Sequence, residues 1–333
     1  MKTNLLIIFL ILCGVNIAQA QDNQYSLRAS IDVRFMFCDF KVNDVSSFDN
    51  RRRTFADKGI VSTNTNVQVL SKKGENSIEL EVAPLSWFES VQSEKPNDLF
   101  DKDAYCRINI YQTDNTTGEE RVLLSMNILI DDDGFPQSYV KNNIDEEVRK
   151  DIIFAKNTDK VSFNKIRNVI GDFEYPKNIK LTKFTKKISL SDVPDWIWVN
   201  ATDYDAKNLN KLKDAYQELW DAFNDKNVSA IREINLPANE TWAVSTNSTE
   251  KSIFESYNIT ERVKNSSSKM IPIDWNNFIP VIMNNGKMVK MVYKEDFSYS
   301  PITMIYLNSK GEKLLYSFSP IFAFVNGKFI PVI

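Results

Sequence analysis

The period of the hydrophobic pattern changes along the chain. In the first 140 residues it is two. Odd positions are apolar in Ile31-Asp-Val33-Arg-Phe35-Met-Phe37, and even positions in Ile78-Glu-Leu80-Glu-Val82. Cys106, Ile108 and Ile110 share one face of Tyr105–Tyr111, and Val122, Leu124, Met126, Ile128 and Ile130 extend the alternation. Period two marks strands with one buried face. Turn signals at Lys73-Gly74, Thr117-Gly118 and Asp133-Gly134 separate them. Residues 21–140 therefore predict an antiparallel β-sandwich, with Pro84 and Trp87 ending the Ile78 strand.

Residues 141–202 read as a mixed connector. Asn143 is placed as the cap of a helix from Ile144 to Ala155, and Ser162 as the cap of a short one to Ile170. Asn178 to Leu190 alternates as two strand-like runs. Asp192–Val199 (DVPDWIWV) reads as a packed aromatic joint.

From Asp205 the period becomes helical. Leu209, Leu212, Tyr216, Leu219, Trp220 and Phe223 fall three and four apart, with Asp203 or Asp205 as cap. Asp225-Lys-Asn227 breaks this helix, and Val228–Ile234 predicts a second. Asn247 with Glu250 forms the capping-box pattern of a third, with Ile253, Phe254 and Tyr257 on its face. After Ile271 the chain reads as hairpins turned at Asn284-Asn285-Gly286, Asn308-Ser-Lys-Gly311 and Asn326-Gly327, the last the strongest turn signal. Tyr216-Gln-Glu-Leu-Trp220-Asp-Ala-Phe223-Asn-Asp225-Lys-Asn-Val228-Ser-Ala-Ile231 resembles the first-helix signature of the NTF2-like (cystatin-like) superfamily. The resemblance covers residues 203–333. It implies an α+β cone of three helices against a bent antiparallel sheet, and so a β-rich α+β fold overall. Such cones host enzymes, ligand pockets and interaction modules alike. Enzymatic members often carry His in the cone, and this chain has no His.

The first twenty residues have the form of a secretory leader. Lys2 precedes the apolar run Leu5–Gly14, and Ala18-Gln-Ala20 places cleavage between Ala20 and Gln21. The run is too short for a bilayer span, which takes about 20 residues. Leu12 before Cys13 departs from a lipidation signal. The expectation is an exported chain, periplasmic or extracellular, that does not span a membrane. The whole sequence carries 41 basic and 44 acidic residues, net −3, and loss of Lys2 makes it slightly more acidic. That balance argues against nucleic acid and anionic membranes as partners. Of the 3 cysteines, Cys38 and Cys106 remain after cleavage. An even count in an exported chain suggests a disulfide. Yet Cys38 falls on the face opposite Ile31 and Phe37, so pairing requires a strand covered on both faces or bulged; two buried thiols are the alternative. The sequons at Asn115, Asn200, Asn227, Asn239, Asn247, Asn258 and Asn265 read as incidental to a chain rich in Asn, Ser and Thr.

Candidate chemistry is sparse. Without His there is no Ser-His-Asp or Cys-His pair and no His-ligated metal. Ser162/Lys165 and Ser266/Lys269 match Ser-x-x-Lys without partner motifs. Asp131-Asp-Asp-Gly134 reads as an acidic turn rather than a Ca²⁺ loop, because the distal Glu is missing. Trp196 and Trp198 alternate with Ile197 and Val199, so one side is free for solvent or the other domain. No cofactor is implied. The expectation is a non-catalytic module that binds an unidentified protein partner in the periplasm or envelope, with an immunity or inhibitor protein against a delivered toxin as one form. The rivals are a small-ligand or enzymatic cone and a structural or adhesive surface protein. A cone lined by Tyr293, Tyr306 and Tyr316 would take a ligand; one filled by Met291, Met304 and Phe318 would not. The edges of the C-terminal hairpins also allow a homodimer through the concave sheet.

Overall fold

The computed structural model describes residues 24–88, 98–154, 180–294 and 299–333. The leader with Ala20 and Gln21, the Ser162 helix and the Ser162/Lys165 pair lie outside them. The first strands are β1 (Tyr25–Arg34), β2 (Met36–Val42), β3 (Val45–Asp49), β4 (Val61–Asn66) and β5 (Gly74–Pro84), with a short helix α1 (Arg51–Ala56) after β3. They continue with β6 (Tyr105–Asp114), β7 (Glu120–Ile130), β8 (Pro136–Val140), β9 (Asn143–Ile144), β10 (Arg149–Phe154) and β11 (Lys180–Leu190). Two antiparallel sheets result, in orders β4-β1-β6-β7-β8-β9 and β10-β11-β5-β2-β3. Their facing side chains, among them Ile31, Val33, Ile108 and Met126 against Phe40, Leu80 and Phe184, form one core.

Phe35 is the hinge of this sandwich. Its φ is +55°, costly for a bulky side chain, and there the chain leaves one sheet for the other. The alternation restarts, so Met36, Cys38, Phe40 and Val42 point into the core. That is why Cys38 reaches Cys106 and the two form a disulfide between the sheets. Asn50, 1% exposed, braces the turn. Its Oδ1 accepts from Cys38 N at 2.8 Å, and its Nδ2 donates to the carbonyls of Met36 and Gly59, both at 2.9 Å. Gly59 sits so close that a Cβ would lie 2.6 Å from Met36 O.

Two departures from the sequence pattern have local causes. A bulge at Ile110/Tyr111 shifts the β6–β7 register, so Val122 turns outward and is exposed. The expected helix from Ile144 to Ala155 is β9 and β10 instead. Ile144, Val148 and Ile152 mimic helical spacing, but pairing of Ile153 with Leu181 and Asp151 with Lys183 fixes the segment as strand. Lys180–Leu190 is one strand rather than two runs, paired between β10 and β5. The expected connector 141–202 thus contributes β9, β10 and β11 to the sandwich sheets.

The C-terminal part begins with α2 (Leu209–Asn224), α3 (Val228–Ile234), α4 (Leu236–Ser245), α5 (Glu250–Ser256) and α6 (Ile259–Lys264). The sequence pattern showed three of these five. Thr249, not Asn247, caps α5 by accepting from Ser252 N; Asn247 sits in the turn before it at φ +50°. The strands β12 (Lys269–Met270), β13 (Phe278–Met283), β14 (Met288–Tyr293), β15 (Ile302–Leu307), β16 (Lys313–Phe318), β17 (Phe322–Val325) and β18 (Lys328–Pro331) follow. They form two sheets, β12-β15-β16 and β13-β14-β17-β18, where one bent sheet was expected. The three expected hairpins are all present.

The β13-β14-β17-β18 sheet is covered on both faces. Val289, Met291, Phe322 and Phe329 pack on Leu212, Tyr216 and Leu219 of α2, while Met283, Met288, Ala323 and Val332 join the sandwich core. Trp196 and Trp198 fasten this seam. Both are buried, and their indole nitrogens donate to Gln68 O at 2.9 Å and Val69 O at 3.1 Å. Of the apolar residues in that segment only Ile197 is left strongly exposed.

Replacing both Cys38 and Cys106 by Ala is expected to lower stability by about 2–5 kcal/mol, read by urea unfolding in non-reducing buffer. Asn50→Ala strands one buried amide and two carbonyls, and a loss of about 2–3 kcal/mol is expected with the disulfide intact.

Candidate interface at the open edge of the sandwich

The two long sides of the sandwich differ. On one, β3 lies beside β4 and Ser47 Oγ meets Thr65 Oγ1 at 3.1 Å. On the other, β7 lies over β11, leaving β8 and β9 of one sheet and β10 of the other at the margin. Lys150 on β10 lies 6.0 Å from the Phe184 ring, so its face of β10 is the one turned toward the core. Ile152 and Phe154 share that face but have no roof, at 51% and 61% exposure. Phe135, Val140 and Ile144 on the β8–β9 margin, with Leu99 against Gly134, are exposed as well. These six are half of the twelve strongly exposed large hydrophobics among the described residues. Isolated exposed apolar side chains are ordinary; concentration on one margin is not.

β10 is also a free sheet edge: among the described strands only β11 pairs with it. Its far face is anchored, because Ile153 packs with Phe37, Ala83, Phe88 and Leu181. The strand is held in place, and among the described residues its outer edge pairs with no other strand. Beside it Lys186 binds Asp145 at 2.9 Å and Glu147 at 3.1 Å, and a groove of about 470 Å³ runs between β7–β8 and β11.

The residues singled out from sequence lie elsewhere. Tyr306 and Tyr316 share one face of β15–β16 with Met304, and that face is packed rather than open. Met291 and Met304 are buried there, with Phe318 packed on them. Arg262 of α6 fills the mouth: Nη1 donates to Tyr306 Oη at 2.6 Å, and its guanidinium lies 4.6 Å from the Tyr316 ring. Burial pushes the phenols of Tyr257 and Tyr316 up to about 12, so they stay neutral. Tyr293 is apart from them, edge-on to Phe278 at 5.7 Å. Among the described residues the Tyr306–Tyr316 face is thus packed with side chains, while Tyr293 lines a separate hollow of about 190 Å³ with Pro301 and Thr303. Asp131 accepts backbone bonds from Asp133 and Phe135 and belongs to its turn. Asp205 caps the turn before α2, and Asp203 pairs with Lys287. Ser266 and Lys269 flank a loop at a shallow depression beside α6. Of the sequon asparagines, Asn239 is fully buried and Asn227 caps α3.

Sequence reasoning missed a charge array that is buried at Asp39, Glu79 and Glu81. Asp49, Asp39, Glu81 and Lys183 stand side by side across β3, β2, β5 and β11. Lys41 bonds Glu81 at 2.8 Å, Lys183 bonds Glu79 at 2.6 Å, and Ser46 donates to Asp39 at 2.7 Å. Lys290 of β14 looks across the seam at Asp39 and Asp49, and burial lowers its pKa. Burial also raises Asp39 from 3.8 to about 6; Lys41 opposes the rise, and Asp49 and Glu81 add to it. The alternation of charged and apolar residues in Ile78–Val82 had shown such an outer face, but not its cover.

Native Asp39 holds its proton more tightly than unfolded Asp39. Its contribution therefore favours folding at low pH and is lost as pH rises from about 4 to about 6. Asp39→Asn is expected to unfold at a higher temperature than wild type at pH 7, by on the order of 1 kcal/mol, and to converge with it near pH 4. Calorimetric melts at both pH values read the difference.

No described helix is long and apolar enough to cross a membrane. No protein-family model matches the chain, and no curated protein matches it in sequence.

Proposed function

We propose that the chain is an exported, non-catalytic protein-binding module that docks its partner at the β8–β9–β10 margin. The observation that carries this reading is Ile152 and Phe154, exposed on an edge strand that among the described residues pairs only with β11, on the same margin as exposed Val140 and Ile144. An edge of this kind offers backbone hydrogen bonds and apolar side chains together, the combination used in recognition by strand addition. Export is supported by the leader-like start and by the Cys38–Cys106 disulfide, a bond that persists in oxidising compartments. The filled cone counts against the small-ligand reading. An immunity or inhibitor protein for a delivered toxin remains one form of this function, and a neighbouring toxin gene would favour it.

The test is capture of partners by tagged Gln21–Ile333 from its own cells, beside Phe154→Glu. The substitution sits on an exposed position, and its melting temperature is expected to stay within about 2 °C of wild type. A stoichiometric protein held by wild type and lost from Phe154→Glu is the expected result. A partner held equally by both would place the interface elsewhere, and bait recovered alone would overturn the reading.

A further inference from the structure

The β10 edge is complementary to itself, and we propose that in the isolated protein it is occupied by the β10 edge of a second copy. The inference rests on reading this margin as a protein-binding surface. It goes further by naming the occupant and the register.

Like charges limit how two copies of Arg149-Lys-Asp-Ile152-Ile-Phe154 can pair antiparallel about a two-fold axis normal to the sheet. Directly opposed residues then point to the same side, so the axis passes through one residue and its own copy. Centred on Lys150 or Asp151, it sets that charge against itself, which destabilises a pair of strands. Centred on Ile152 or Ile153 it sets no like charges of the strand face to face, and of these two only the Ile152 centre also opposes Lys150 to Phe154, twice over. Each Lys150 ammonium then meets an aromatic ring of the other copy, a favourable cation–π arrangement. The same side of β10 is the one left unroofed, with Ile152 and Phe154 at 51% and 61% exposure.

Three observations favour this occupant. β10 is anchored through Ile153 on its far face, so pairing costs little further ordering of the strand. Its apolar half, Ile152–Phe154, carries no proline and no charge, the devices that usually protect an edge. Val140 and Ile144 lie exposed on the margin of the other sheet, on the same side of the sandwich, so pairing at β10 draws the two copies' margins together. The two five-stranded sheets become one of ten strands, with Cys38 and Cys106 of each copy already joined to each other and not available for cross-linking.

The experiment is sedimentation equilibrium on purified Gln21–Ile333 across a concentration series, with Ile152→Lys, Lys150→Glu and Ile152→Cys. Wild type is expected to sediment as a dimer. Ile152→Lys sets two lysines face to face and removes a buried side chain from each copy. Its dissociation constant is expected to rise on the order of a hundredfold. Lys150→Glu removes both cation–π pairs and is expected to weaken the dimer about tenfold. Ile152→Cys is expected to form an intermolecular disulfide under mild oxidation, because the axis brings the residue against its own copy. Far-ultraviolet dichroism checks that each variant is folded. A monomer at every concentration overturns the proposal, as does a dimer that neither Ile152→Lys weakens nor Ile152→Cys cross-links. A monomeric wild type whose cellular partner is lost from Phe154→Glu would sink the dimer and leave the protein-binding reading standing.

Discussion

The sandwich turns on one backbone conformation. Phe35 adopts φ +55°, and that single residue passes the chain from one sheet to the other. Without the crossing, β1 and β2 would be one long strand and Cys38 would face away from the core. With it, Met36, Cys38, Phe40 and Val42 turn inward and the inter-sheet disulfide becomes reachable. A left-handed Phe persists only where its surroundings compel it. Here the compulsion comes from Asn50, whose three hydrogen bonds tie Cys38, Met36 and Gly59 together, and from Gly59, which leaves no room for a side chain. Phe35 N also donates to Lys58 O at 3.1 Å, which holds the corner from outside.

The same economy governs the C-terminal part. A four-stranded sheet with an apolar face on either side has to be covered twice. Here α2 covers one face and the sandwich covers the other. Trp196 and Trp198 set the distance between the two bodies, because each indole must reach a carbonyl of the Gln68–Leu70 turn while its ring fills the core. Burial on both faces leaves the described part of this sheet packed: methionines and phenylalanines occupy the space between it and α2. It explains Lys290 as well. A cation on the seam-facing side of β14 is tolerable only opposite anions, and the neighbouring strands β2 and β3 supply Asp39 and Asp49.

What could be read from sequence followed from how local each feature is. Asn326-Gly327 fixes its hairpin within four residues, and both take positive φ as the turn requires. Helix α2 was legible because Leu212, Tyr216, Leu219 and Phe223 bury a single stripe. By contrast, α4 buries Ala238, Asn239, Thr241, Ala243 and Ser245, small and polar residues that leave no stripe to detect. β10 was misread because its charges and isoleucines fit a helix equally well, and only pairing with β11 decides the matter. The disulfide was left open because face parity assumed one strand where there are two. The candidate interface was invisible for a deeper reason. Ile152 and Phe154 look like core residues in sequence; they are exposed only because topology places β10 last in its sheet.

Edge position also separates the margin from the other hydrophobic surfaces of the molecule. The opposite margin closes on itself, with Ser47 of β3 against Thr65 of β4 across the sheets and the polar residues Ser46 and Asp49 along the strand. A sheet protected in this way on one side, and on the other only by Arg149-Lys-Asp151 ahead of an uncharged Ile152–Phe154, is not explained by stability alone, since a charge at Ile152 or Phe154 would protect the edge without removing a core contact. The cost of exposing both side chains is set against whatever covers them. The anchoring of Ile153 below the strand means that what arrives finds its backbone groups already aligned. Rigid presentation of an unprotected strand is what an edge-to-edge contact requires.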